Sequence, residues 1–185
     1  MGNHSSWYDK EKRKVLILTF HLEYLKSNIY KCIIIDLSNL LFRKSIHISE
    51  QKGFAESDLK LNSLTLLIYF LSCKNRHLWR HHYLGAQGVI FVVSCRQYFN
   101  TSENLINEVM TVFKDGNLVD VPFLILFDKS HKLSEELEIN EKLRSQLISG
   151  NYFYNIQFIN FEDVKGLNEL YFGIDWLCEV MKAVE

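Results

Sequence analysis

The strongest constraint on the fold is a set of short apolar runs that do not alternate with polar residues. They fall at residues 15–20, 32–37, 64–71, 88–94, 121–127 and 155–161, and most are unbroken stretches of Ile, Val, Leu and Phe. A strand with one wet face alternates; an unbroken run fits a strand covered on both faces, as in a parallel sheet. Helical spacing fills the intervals. Thr101 or Ser102 can cap a helix carrying Leu105, Ile106, Val109, Met110 and Phe113 and ending near Gly116. Residues 133–148 set Leu133, Leu137, Leu143 and Leu147 among charges, with Gly150 beyond. A last helix from about Asn168 to Val184 puts Leu170, Ile174, Leu177, Val180 and Met181 on one face. Strands alternating with helices of this length predict βαβ units: an α/β fold with a parallel sheet covered on both faces.

The chain's 185 residues make one domain, here placed at 15–185 behind a polar leader at 1–14. An apolar content of 48% excludes disorder for most of its length. The formal net charge of -1 offers no global field for nucleic acid, so no nucleic-acid partner is expected. Cys32, Cys73, Cys95 and Cys178 form no C-x-x-C pair and no disulfide framework, which points to free thiols in a reducing compartment. No apolar run reaches the roughly 18 residues of a membrane span. The N-terminus lacks the charged-then-apolar pattern of a secretory signal.

Leu78 to Val93 reads LWRHHYLGAQGVIFVV, Glu169 to Leu177 reads ELYFGIDWL, Asn28 to Lys31 reads NIYK, and the chain opens Met1-Gly2-Asn3. Together these segments resemble the ADP-ribosylation factor family of small GTPases over nearly the whole chain, most specifically around Trp79 and Trp176. The resemblance implies the small G-protein, P-loop NTPase-like fold, with a mostly parallel six-stranded sheet and helices on both faces. It also implies GTP or GDP with Mg²⁺ as ligands, and a role in vesicle trafficking.

The segments that match are scaffold; those that should carry the chemistry do not match. A phosphate loop needs G-x-x-x-x-G-K-[ST], its glycines turning backbone N–H groups toward phosphate and its lysine and hydroxyl serving phosphate and Mg²⁺. The matching positions run from Thr19 to Lys26, with Thr19 and Tyr24 for the glycines, Leu25 for the lysine, and Glu23 an added anion. A one-residue slip puts Lys26 and Ser27 on the K-[ST] pair, without supplying a glycine. The family's Asp-x-Gly-Gly-Gln falls on Ile68, Tyr69, Phe70, Leu71 and Ser72, read instead as a buried strand running through Leu71. The base-reading Asn-Lys-x-Asp falls on Asp128, Lys129, Ser130 and His131; Lys129 keeps its place, but His131 lacks the aspartate's paired acceptors. Gly53-Phe54 resembles a Gly-Phe of the first switch, with Gln51 near the Mg²⁺ threonine.

Three further features bear on function. Cys73, His77 and His81 stand at i, i+4 and i+8, with His82 next; on one helix they would share a face, either as a polar stripe or as metal ligands. Asp36, Asp58 and Asp175 have no partner carboxylate, so no acid–base dyad is assigned. Met1 to Ser6 fits M-G-x-x-x-[ST], the pattern for myristoylation of Gly2, and Lys10, Lys12, Arg13 and Lys14 follow as a basic group facing a membrane surface. Trp7 and Tyr8 suit the headgroup level. The reading that results is a degenerate Arf-like protein without a nucleotide cofactor, one that has lost GTP binding and hydrolysis. It is cytoplasmic and reversibly membrane-associated, at Golgi or endomembranes by family resemblance. The alternatives are an active GTP-binding switch using Lys26 and Ser27, or a metal-linked protein.

Overall fold

In the computed structural model, the described residues are 12–20, 54–61, 64–71, 73–94, 102–128, 133–159 and 164–184. Six strands form one sheet: β1 (Lys12–Phe20), β2 (Phe54–Leu61), β3 (Leu64–Leu71), β4 (Gly88–Ser94), β5 (Phe123–Asp128) and β6 (Tyr154–Ile159). Their spatial order is β2-β3-β1-β4-β5-β6, with β2 antiparallel to β3 and every other pair parallel. The expected runs 64–71 and 88–94 are β3 and β4 to the residue.

The expected run 32–37 lies outside the described residues. One edge strand is not among the expected runs: Phe54–Leu61, FAESDLKL. As an edge strand paired on its β3 side it needs no unbroken apolar run; Leu59 is its one buried large side chain among those described. β1 also begins earlier than the expected boundary at residue 15, because Lys12, Arg13 and Lys14 already pair with Thr65, Leu66 and Leu67.

The helices are α1 (Arg80–Tyr83), α2 (Ser102–Phe113), α3 (Leu133–Ser149) and α4 (Val164–Ala183), with a 3-10 helix at Cys73–Leu78 and another at Gly116–Leu118. Helices α2 and α3 cover one sheet face, their Ile106, Val109, Met110, Ile139, Leu143 and Leu147 packing on Phe91, Phe123 and Ile125. On α3 the buried stripe is Ile139, Leu143, Leu147 at strict i+4 spacing, and Leu137, two positions before Ile139, is 52% exposed. Helix α4 covers the other face with Leu170, Ile174, Leu177, Cys178 and Met181 against Ile90, Val92, Leu124 and Leu126. It starts at Val164, ahead of the expected Asn168.

Two glycines set how closely α4 approaches. A Cβ on Gly173 would stand 2.8 Å from Leu124 Cδ1, and one on Gly88 2.9 Å from Met181 Sδ. The helix therefore lies down on β4 and β5 at a distance that no larger residue at these positions permits without repacking.

Candidate functional site

In an open α/β sheet, ligands bind beyond the carboxyl ends of the strands, where connections from neighbouring strands depart in opposite directions. Here β1 is followed in sequence by β2 and β3 on one side, and β4 by β5 on the other. The candidate site is therefore the edge formed by the ends of β1 and β4. Backbone register brings Phe20 opposite Val93, Leu18 opposite Leu71, and Ser94 opposite Asp128, which in turn faces Ile159. Among the expected remnants, Asp128 ends β5 at this edge. Lys26, Ser27, Lys129 and His131 lie outside the described residues, as do Gly2, Glu23, Tyr24 and Leu25.

At the first two phosphate-loop positions, Thr19 and Phe20 are ladder residues paired with Val92 and Val93. The strand runs on where a glycine loop would begin to turn. Ile68, at the place of the family's aspartate, is fully buried, and Phe70 and Leu71 are buried as expected of a strand through Leu71. Ile68 and Phe70 belong to the core packed with β1, β4 and α4.

The segment after β3 is held by contacts that no local spacing announces. Arg76 Nη1 donates to Glu108 Oε1 at 2.9 Å and Arg80 Nε to Asp115 Oδ2 at 2.7 Å, so residues 76 to 80 are tied twice to α2 and its exit. Between the two ties Trp79 is buried, its ring edge-on to Phe91 at 6.4 Å between centroids. Asp115 is buried, which works against its charge. Hydrogen bonds from the Asn117 backbone, Arg80 and the Asn117 side chain prevail and hold its carboxyl below the usual range. Tyr83 is buried as well, and that burial above all raises the pKa of its phenol.

His82 packs against both Phe54 and Tyr69, at centroid distances of 4.9 and 5.8 Å. Its imidazole titrates below the ordinary range, first because it is partly buried and then because Lys14 and His81 are near. Lys14 Nζ lies 5.3 Å from the Tyr69 ring centroid and donates to Leu84 O at 2.8 Å.

The structure places two groups that the sequence singles out. Cys73, His77 and His81 do not lie on one helix: a 3-10 helix ends at Leu78, Trp79 is a turn, and α1 begins at Arg80. Among the described residues no three His, Cys, Asp or Glu side chains gather to hold a metal. Of the basic group expected to face a membrane, three residues belong to the sheet. Lys12 to Lys14 are strand residues; Arg13 is buried, Lys14 is half-buried, and Lys12 Nζ sits 3.5 Å from Asp58. Lys10 lies outside the described residues.

A mostly parallel six-stranded sheet in this order, with one antiparallel edge pair and helices on both faces, defines the small G-protein class of α/β fold. The family model described as "ADP-ribosylation factor family" matches residues 27–181, and the chain belongs to that family. Among solved structures it is similar to the Arl6 BBS3 small GTPase from Trypanosoma brucei, determined with the bound nucleotide analogue GppNp. The TM-score is 0.67 at 20% identity, covering 93% of this chain and 98% of that one, a likeness of fold.

Proposed function

We propose that this Arf-like chain does not work as a GTP-driven switch and acts as a membrane-associated interaction module in intracellular vesicle trafficking. The observation that carries the reading is the state of the phosphate-loop positions. Thr19 to Lys26 contain no glycine, and the first two continue the β1 ladder. Without glycine, successive backbone N–H groups cannot readily take the turn that aims them together at phosphate. Ile68 adds to this, since a buried hydrocarbon cannot support Mg²⁺. The residues at these positions do not fit a guanine nucleotide with its metal. The family match also begins at residue 27, just past the eight loop positions. The two ion pairs at Arg76 and Arg80 support a fixed strut where the family places a nucleotide-sensing segment.

Membrane association rests on the Met1–Ser6 hexapeptide with Gly2 as the lipidated residue. No helix among the described residues is long and apolar enough to cross a bilayer.

The test is direct. A ligand that binds the folded state raises the melting temperature by mass action. GTP or GDP with Mg²⁺ at saturating concentration is expected to leave the melting curve unmoved, and denatured protein is expected to release no guanine nucleotide. A clear shift, or released nucleotide, would establish instead the GTP-binding reading through Lys26 and Ser27.

A further inference from the structure

We infer that the end of the sheet opposite the candidate site is a bilayer-contact surface, built by the loops that lead into β4, β5 and β6. The inference rests on the membrane-associated reading above and adds to it a second contact that does not depend on the acyl chain. Each of these three loops exposes one large apolar side chain: Leu84 is 76% exposed, Val119 63% and Phe153 46%. Ile148, in the last turn of α3, is 69% exposed, and Val184, just past α4, is 51% exposed. Both helices run back from the candidate edge and finish at this same end.

The loops are fastened side by side. Gln87 N donates to Lys14 O at 2.8 Å, Val89 N to Pro122 O at 3.0 Å, and Phe123 N to Phe153 O at 2.9 Å. The apolar side chains are thus presented in strand order on a rigid edge, not scattered. Gly85, at a φ of 74° that other residues adopt only with strain, makes the turn that carries Leu84 outward. Between Val119 and Phe153 lies a concavity of about 230 Å³ lined also by Phe113 and Tyr152.

The occupant follows from where the chain enters. β1 starts at Lys12, at this same end, and residues 1–11 before it carry the lipidation hexapeptide, Trp7 and Tyr8. Eleven residues can reach about 35 Å when extended, whereas β1 to β6 is three strand spacings, about 14 Å. A bilayer that holds an acyl chain on Gly2 can therefore meet the Leu84–Val119–Phe153 rim at the same time. Charge contributes little: exposed Lys60 and Lys114 are matched in number by exposed Asp58 and Asp120. Apolar insertion is the term left to carry the contact, and salt does not screen it.

The experiment is co-sedimentation with vesicles of phosphatidylcholine and phosphatidylserine, using myristoylated and unmodified full-length protein. The variants are Leu84→Ser/Val119→Ser/Phe153→Ser and, separately, Leu84→Trp. The triple variant is expected to lose about tenfold in partitioning, because partial withdrawal of a few methylenes from lipid suffices for that. The loss should appear in both protein forms and persist in high salt, and Leu84→Trp should bind more tightly than wild type. If the triple variant partitions like the wild type while the myristoylated wild type binds, the rim is overturned and the membrane reading stands. If the myristoylated wild type does not bind at all, both fall. A triple variant that changes only the sedimentation velocity, and not lipid binding, would make this end an interface between copies of the chain and overturn the inference.

Discussion

Asp115 shows how much one side chain can fix here. It accepts from Asn117 N and Asn117 Nδ2, both at 3.1 Å, and from Arg80, so it caps the 3-10 helix Gly116–Leu118 and anchors α1 together. Asp115→Ala should cost about 1–3 kcal/mol, the range of a lost cap plus charge-assisted hydrogen bonds. Arg80→Ala should cost less than about 1 kcal/mol, since Arg80 is 76% exposed; chemical denaturation of the two variants checks the order. The depressed carboxyl means that its stabilisation is present above the unfolded value of about 3.9 and is lost as pH falls through the folded one. His82 behaves in the same direction in a different window. Its folded pKa lies below the unfolded value, so the unfolded chain binds the proton more readily and stability falls as pH drops below about 6.5. His82→Gln should flatten that part of the stability profile; a profile unchanged by the substitution would refute the assignment.

At the scale of elements, unbroken apolar runs were enough to locate β3 and β4, because burial on both faces leaves a plain hydrophobic signature. The same rule could not find β2, whose Glu56, Asp58 and Lys60 are exposed. It also extended α3's apolar face to Leu137, where only i+4 spacing back from Leu143 identifies Ile139. The candidate edge was legible as departures from a family pattern at Thr19, Ile68 and Leu71. The ties Arg76–Glu108 and Arg80–Asp115 were not, since residues 32 and 35 apart are joined only by the fold. Helix α4 gives a prediction with an unusual sign. Glycine to alanine inside a helix ordinarily stabilises by roughly 0.5–1 kcal/mol. At Gly173 the new Cβ would meet Leu124 at 2.8 Å in a packed core, so Gly173→Ala should instead destabilise by about 1–2 kcal/mol. Thermal melting against wild type decides the sign.

Across the whole molecule, nucleotide chemistry would have to be assembled from the ends of β1, β3 and β5 at once. Repair of one segment should therefore achieve little. Tyr24→Gly with Leu25→Lys restores a glycine and a lysine to the loop but leaves Ile68 and His131 in place. The double variant should still show no thermal shift with GTP and Mg²⁺, and a pronounced shift would mean that the loop alone had been limiting. The close seating of α4 has a consequence for handling the protein. Cys178 is buried on the helix's inner side, and that burial is the main reason its thiol is pushed up to about 11. An alkylating reagent reacts with thiolate that it can touch, so Cys178 stays silent while the helix is seated. Peptide-resolved alkylation at Cys178 is thus a built-in clock for undocking of α4, advancing only with openings that lift the helix from the sheet.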